Sequence, residues 1–310
     1  MMTRRSFLAA AAAAGLSAAA RARAEKRRKP NIVFILADDL GRHQVGCYGN
    51  PFYETPHLDA LAAQGVKFTD AYAACPVCSP TRASIMSGQY PARVGITDFI
   101  PGHQRPYAKL KAPLNRTQYL PLEVVTVAES LKAAGYTCGQ FGKWHLGGRE
   151  YFPDAQGFSS WLVSEGRHFN FKTVPPMEIE QDAYLSEFLT EQAEKFIDEN
   201  RGRPFFLYLA YTAPHFPIQA RPEDIAKYRG RYMAGWDEMR RRRFERLRDM
   251  GIADDAWRLS DRDGLVPEWD ACAAKDELDL RMAVYAAMVD RMDQGIGRVL
   301  AKLRETGRAD

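Results

Sequence analysis

The chain has few cysteines for its length, with 5 among 310 residues. Cys75 and Cys78 form one C-x-x-C pair, and the sequence has no second such pair to complete a zinc site. No thioredoxin-like βαβ pattern surrounds the pair, which argues against a redox centre. If the protein is exported, its odd number of cysteines leaves at least one of them unpaired or chemically converted.

The sequence also lacks an apolar run long enough to span a bilayer comfortably, which takes about 20 residues. The longest such run, residues 7–20, follows Arg4-Arg5 and precedes the small-x-small tripeptide Ala22-Arg23-Ala24. This order is typical of a twin-arginine signal peptide. We expect residues 1–24 to engage the twin-arginine export machinery and the mature protein to be periplasmic or secreted. An uncleaved anchor is the alternative interpretation.

The expected mature chain has no excess of positive or negative charge. Cleavage after Ala24 removes four arginines from the 43 basic residues and none of the 39 acidic ones, so the formal charge falls from +4 to zero. The excess of basic residues lies in the expected signal peptide, and we therefore expect no nucleic-acid partner.

Internal repeats are absent as well, and strand and helix patterns alternate along the chain. Apolar runs rich in β-formers at residues 31–37, 136–141 and 204–210 are typical of buried parallel strands. Amphipathic or long helical patterns at 182–200 and 280–304 accompany them. The alternation predicts an α/β fold with a mostly parallel sheet and helices on both faces.

Local signals mark several helix ends. Thr55-Pro56 opens a short helix that Gly65 closes, and Thr126 with Glu129 forms a capping box. The arginine-rich stretch 239–249 has two interpretations. It could bind sulfate, but acids at i+3 and i+4 spacing favour a solvated helix.

Cys78 lies at the predicted mouth of a helix. Ser79 is a plausible N-cap, Pro80 suits the first helical position, and Arg82 follows one turn in. A helix N-terminus beside an arginine attracts anions and activates a thiol. A buried structural cysteine is the alternative.

Polar residues follow each of the three predicted strands. Asp38-Asp39 ends the first, and adjacent carboxylates suit a hard divalent cation. Lys143 and His145 follow the second and alternate with Trp144, so an extended chain points them the same way. His215 follows the third, between two prolines. Because ligands bind at the carboxyl ends of parallel strands, these groups are expected to converge.

These segments together resemble type I sulfatases. The string Cys78-Ser79-Pro80-Thr81-Arg82 is similar to the signature in which this Cys is oxidised to formylglycine, and the likeness runs from about residue 31 to the end. Residues 232–240 resemble arylsulfatase-type members more weakly. The resemblance implies an alkaline-phosphatase-like fold, a formylglycine-generating enzyme as partner, and calcium or another divalent cation as cofactor.

The resemblance also implies a role for each site residue. Asp38, Asp39 and the formylglycine at Cys78 would bind the metal. Arg82 would orient the formylglycine and Lys143 would hold sulfate. His145 and His215 would hydrogen-bond the formylglycine and the sulfate or leaving group, on a sulfated small molecule or sulfated glycan.

The sequence departs from the family pattern at its end. Members continue into a strand carrying an Asp-Asn metal-ligand pair and a second sulfate-binding Lys, whereas this chain stops at Asp310. Residues 25–310 are therefore expected to be the amino-terminal part of a sulfatase catalytic domain, truncated and weakly active. A phosphonate or phosphate ester hydrolase, and a non-catalytic remnant that binds sulfated glycans, stay open as alternatives.

Overall fold

A parallel sheet organises the molecule. The computed structural model describes residues 29–103, 109–110 and 114–309, so the expected signal at 1–24 lies outside the described residues. Within them the strands are β1 (Ile32–Leu36), β2 (Thr137–Gly142), β3 (Ser160–Val163) and β4 (Phe205–Ala210). Their order across the sheet is β1-β4-β2-β3, and every pairing is parallel. The predicted α/β fold is confirmed.

Helices fill the connections between the strands. In chain order they are α1 (Pro56–Gln64), α2 (Cys78–Ser87), α3 (Pro91–Val94), α4 (Val127–Ala133), α5 (Leu185–Glu199), α6 (Pro222–Tyr228), α7 (Gly235–Asp249) and α8 (Lys275–Glu305). Short 3-10 turns occupy Arg42–Gln44, Gly46–Tyr48, Arg149–Tyr151, Pro153–Gln156 and Trp269–Ala271. None of the helices in the described ranges combines the length and apolar character needed to cross a membrane.

Strand β4 is the centre of the sheet and supplies both hydrophobic cores. All six of its residues are buried, which explains its uninterrupted apolar sequence. Leu207 and Leu209 pack with α5 and α8 on one face. Phe206 and Tyr208 pack with α2, α4 and Trp144 on the other. Helices therefore cover both faces, as predicted.

The register of the sheet aligns three strand ends. Ala210 at the end of β4 pairs with Leu36 at the end of β1 and with Gly142 at the end of β2. The residues that follow these positions emerge at one level of one sheet edge. This alignment brings the polar segments predicted from the sequence to a common place.

Two local expectations were wrong. Ser79 is not the N-cap of α2, and Pro80 is its third residue rather than its first, because the helix begins at Cys78 with extended Val77 before it, and no side chain caps it. The Ser79 hydroxyl instead accepts a hydrogen bond from Ile100 N at 3.0 Å. Strand β1 is only partly buried, with Phe34 36% exposed, because in the described sheet β1 pairs with β4 alone.

Other local signals were interpreted correctly. Thr126 Oγ1 accepts from Glu129 N at 3.1 Å and Glu129 Oε2 accepts from Thr126 N at 2.7 Å, which completes the capping box. The arginine-rich stretch forms α7, where Arg241 and Arg242 both contact Glu238 at 2.6 Å. This pairing confirms the solvated-helix interpretation.

We predict that Gly139→Ala destabilises the fold through the contact between β2 and α5. A Cβ at Gly139 would lie 2.6 Å from the ring of Phe196, which is buried against the sheet. Overpacking of this kind costs about 1–3 kcal/mol in the free energy of unfolding, measurable by urea denaturation. Gly202→Ala is the matched control, since no described atom lies within 4 Å of its Cβ position. Equal stability of the two variants would contradict the prediction.

Candidate active site

The turn after β1 separates its two acids. Asp38 is 5% exposed, and its backbone N–H donates to Ala213 O at 3.2 Å, next to the β4 connection. Asp39 has a φ of 60°, in the left-handed region that Asp tolerates better than most residues. Its side chain is 55% exposed. One carboxylate therefore enters the protein interior while its neighbour faces solvent.

Asp38 is the centre of a buried charge cluster. Its Oδ2 lies 2.5 Å from Lys143 Nζ and its Oδ1 lies 3.3 Å from Arg82 NH2. Burial alone would raise the pKa of the Asp38 carboxyl, but Arg82 and Lys143 outweigh that effect and hold the pKa below its usual value. Asp38 is thus an anion that neutralises part of the charge of two buried cations.

Arg82 is buried and hydrogen-bonded next to the site. It is 1% exposed, and its NH1 donates to Lys143 O at 2.8 Å and to Tyr208 Oη at 3.3 Å. Arg82 therefore joins helix α2 to the segments that follow β1 and β2. Because it lies four residues after Cys78, this anchoring also fixes the first turn of α2.

Cys78 opens α2 beside the charge cluster. Its Sγ lies 3.5 Å from Lys143 Nζ. The preceding loop is tied to the helix, because Thr81 Oγ1 accepts from Cys75 N at 3.1 Å and donates to Cys75 O at 2.8 Å. These bonds present the side chain of residue 78 at a helix N-terminus, where the backbone favours negative charge.

The segment after β2 directs Lys143 and His145 to one cavity, as predicted, but not through the extended backbone that the prediction assumed. Trp144 is 1% exposed and its indole N–H donates to Tyr151 O at 2.9 Å, away from the site. Lys143 and His145 line the same cavity. His145 has a φ of 55°, so the chain is not extended there. Its Nε2 lies 2.6 Å from Ile100 O, which requires Nε2 to donate.

His215 approaches from the segment after β4. Its Nε2 lies 3.5 Å from Asp39 Oδ2, and its Nδ1 contacts the Phe216 carbonyl. The backbone N–H of His215 donates to Thr212 O at 2.9 Å. The three strand ends thus contribute side chains to one place, as expected from the sheet topology.

A cavity of about 620 Å³ joins these residues. Its walls are formed by Asp39, Pro76, Val77, Cys78, Phe99, Ile100, Lys143, His145, Glu165, Gly166 and His215. Sequence reasoning missed Phe99, Ile100 and Glu165. They lie on connections without any recognised motif, and only the packing of those connections brings them to the cavity.

A candidate cation site adjoins the cavity, because Cys78 and His215, two of its three residues, line the cavity wall. Ligand atoms of Asp38, Cys78 and His215 lie within 4.8 Å of one another. The set predicted from the sequence contained Asp39 where this group contains His215, and Asp39 lies beside His215. The two carboxylates of this group and its neighbour, Asp38 and Asp39, are ligands of the kind that a hard divalent cation takes.

Comparisons with known proteins place these features in context. The family model described as Sulfatase matches residues 30–310. An uncharacterized sulfatase of Schizosaccharomyces pombe is 33% identical over 314 residues, which cover 91% of this chain and 56% of that protein. An arylsulfatase of Klebsiella aerogenes is 32% identical over 325 residues, covering 97% and 68%.

Solved structures share the fold. Ps i-CgsB in complex with k-i-k-neocarrahexaose superposes with a TM-score of 0.64 at 25% identity, over 91% of this chain and 56% of that one. The chain therefore spans between about half and two thirds of the length of these relatives.

We predict that Asp38→Asn destabilises the protein strongly. The change leaves the buried cations of Lys143 and Arg82 without an anion, and breaking a buried pair in this way costs about 3–5 kcal/mol. Thermal and urea unfolding measure the loss. Asp39→Asn is the matched control one residue away. Its exposed carboxylate should contribute less than about 1 kcal/mol, so similar losses for both variants would refute the assignment.

Proposed function

Since this chain belongs to the sulfatase family, we propose that it hydrolyses a sulfate ester with a nucleophile built on Cys78. One arrangement carries the proposal. Cys78 Sγ lies at the start of α2, 3.5 Å from Lys143 Nζ, in a cavity that Asp39, His145 and His215 also line. A nucleophile, an anion-binding cation and two imidazoles thereby surround the space that a sulfate group would fill.

We propose that Cys78 is converted to formylglycine by a formylglycine-generating enzyme. Sγ then marks the position of the formylglycine oxygen. In its hydrated form this residue supplies one hydroxyl for attack and a second whose deprotonation expels sulfate and restores the aldehyde. An unmodified thiol has no second hydroxyl, so conversion is what makes turnover possible.

Cations of the chain oppose the charge that makes a sulfate monoester resistant to attack. Lys143 Nζ contacts both Asp38 and residue 78, so it can hold a sulfate oxygen while it stays anchored to the floor of the cavity. Arg82 fixes the backbone that carries Lys143. Asp38, Asp39 and the oxygen at residue 78 would hold a divalent cation such as calcium, which would neutralise further sulfate charge.

The two imidazoles suit opposite proton transfers. Nε2 of His145 donates to Ile100 O, so Nδ1 carries a lone pair, and it has no hydrogen-bond partner among the described residues. This state suits a base for the remaining hydroxyl. Nε2 of His215 lies 3.5 Å from Asp39 Oδ2 and His215 lines the cavity, so a proton on Nε2 would be positioned for the leaving oxygen. We assign His215 as the acid.

The substrate we propose is a sulfated small molecule or a sulfated saccharide. An arylsulfatase among the relatives and a relative bound to a neocarrahexaose support this range. The apolar wall of Val77, Phe99 and Ile100 could contact an aromatic ring or the face of a sugar. From residues 1–24 we further propose export through the twin-arginine pathway to the periplasm or beyond.

The proposed function predicts an aldehyde at residue 78. Protein made in a host with the maturation enzyme should show it by peptide mass spectrometry and should hydrolyse 4-nitrophenyl sulfate in the presence of calcium. Cys78→Ala should lose at least about 10⁴-fold in kcat, because the nucleophile is removed. It should keep its unfolding midpoint, since only one small, half-buried side chain is lost.

Cys75→Ala is the matched control, because the two hydrogen bonds of Cys75 to Thr81 use only its backbone. Its turnover should match wild type. A fully alkylatable thiol at Cys78 in active protein would overturn the proposal. Faster cleavage of 4-nitrophenyl phosphate than of the sulfate would identify a phosphate esterase, and hydrolysis of neither ester would contradict the proposed function for this chain.

The proposed substrate range predicts an effect of Glu165. Glu165 lines the same cavity as His215, and its carboxylate should repel a second sulfate on the leaving group. Glu165→Gln should raise kcat/KM for a disulfated relative to a monosulfated saccharide about 5-fold, equivalent to ~1 kcal/mol between charges a few Å apart in water. Glu178→Gln, an exposed acid on the same connection that does not line the cavity, should leave the ratio unchanged. An unchanged ratio in Glu165→Gln would exclude this role.

A further inference from the structure

A second histidine lies directly behind His215. His168, on the connection between β3 and α5, is 0% exposed, and its Nε2 lies 2.9 Å from the backbone carbonyl oxygen of His215. A carbonyl oxygen only accepts hydrogen bonds, so Nε2 of His168 must carry the proton and donate it. The contact thus fixes one tautomer of a buried ring.

The other nitrogen of this ring, Nδ1, is the unprotonated one. Nδ1 of His168 is buried and has no hydrogen-bond partner among the described residues. Burial lowers the pKa of the His168 imidazole, which keeps the ring neutral. The ring also stacks against Tyr184, with centroids 6.0 Å apart and an interplanar angle of 28°. His168 is therefore a buried, stacked ring that donates one hydrogen bond through Nε2.

The backbone of His168 is anchored on two further sides. Its N–H donates to Gln219 Oε1 at 3.0 Å, and its carbonyl accepts from Leu185 N at 2.9 Å, at the start of α5. Tyr184 Oη donates to Gln219 O at 2.9 Å. One residue thus joins three segments: the β3 connection, the first turn of α5, and the loop that carries His215.

We propose that His168 is a positioning residue for His215. By holding the carbonyl of His215 through Nε2–H, it fixes the direction in which the His215 side chain leaves the loop, toward Asp39 and the cavity. The loop after β4 has no regular structure of its own at this point, so the donor behind it sets the placement of the imidazole. This inference rests on the proposed function, in which His215 protonates the leaving oxygen.

The position of an acid matters most where the leaving group needs a proton. The first test substrate is therefore 4-nitrophenyl sulfate, whose phenolate leaves without being protonated. The second is 2-(4-nitrophenyl)ethyl sulfate, whose alkoxide must be protonated as it leaves. In His168→Leu we expect kcat on the alkyl ester to fall about 10-fold to 100-fold, as for a catalytic group displaced by about 1 Å. On the aryl ester it should fall less than about 3-fold.

His168→Gln tests the hydrogen bond itself, because a glutamine amide N–H can take the place of Nε2–H. We expect this variant to keep kcat within about 3-fold of wild type on both esters. Tyr184→Phe is the control for packing, since it keeps the stacked ring and loses only the bond to Gln219. Any loss it shows should be equal on the two esters. Equal losses on both esters in His168→Leu, or no rescue by glutamine, would overturn the proposal.

A measurement without turnover separates this inference from the proposed function. Long-range ¹H–¹⁵N spectra of histidine-labelled wild-type protein should show His168 protonated on Nε2, bare on Nδ1 and slow in exchange with water. A ring protonated on Nδ1, or exchanging fast, would refute the positioning role. If wild type cleaves neither ester, the proposed function fails for this chain, and the spectra alone decide the hydrogen bond.

Discussion

The placement of Asp38 between Lys143 and Arg82 is the constraint on which the site depends. Each partner comes from a different part of the fold: Asp38 follows β1, Lys143 follows β2, and Arg82 lies in α2. Ions removed from water are costly unless they meet closely, so these segments cannot shift independently. The contribution of the cluster is therefore geometric, since it fixes three chain segments around one point near Cys78.

Neighbouring residues at the ends of β1 and β2 therefore have different environments. Asp38 is buried among cations while Asp39 turns outward to His215, and Trp144 enters the core between two residues that line the cavity. Both turns use a left-handed residue, Asp39 or His145. The fold thus supplies anchoring and reactive side chains from the same few positions at the ends of β1 and β2.

The charges next to Cys78 suit the anion that the proposed function requires. Asp38 offsets only part of the charge of Lys143 and Arg82, and α2 directs its N-terminus to the same place. Negative charge is concentrated elsewhere, at Asp39 and Glu165 on the walls. This separation of positive charge beside Cys78 from negative charge on the walls is the arrangement that the proposed hydrolysis of a sulfate ester would require.

The sequence by itself determined the fold class, most element positions and the motif residues. Apolar runs and caps are local properties, so the strands, the Thr126 capping box and the charged face of α7 could be predicted from neighbours in the chain. Convergence of the three strand ends was also predictable in outline, because polar residues follow strands that were expected to be parallel. The register that aligns Leu36, Gly142 and Ala210 is seen only in the folded sheet. The helix start at Cys78 was missed because Ser79 found a distant partner, the backbone of Ile100.

Only the tertiary structure decided what depends on contacts between remote segments. The exposure of β1 follows from its pairing in the sheet, which its apolar sequence does not encode. Phe99 and Glu165 reach the cavity, and His168 reaches the carbonyl of His215, because connections pack together that carry no recognisable pattern. A single histidine in a sequence is compatible with a ligand, a base or a core residue. The burial of His168 and the carbonyl oxygen that accepts its hydrogen bond distinguish these roles, and both are properties of the folded chain.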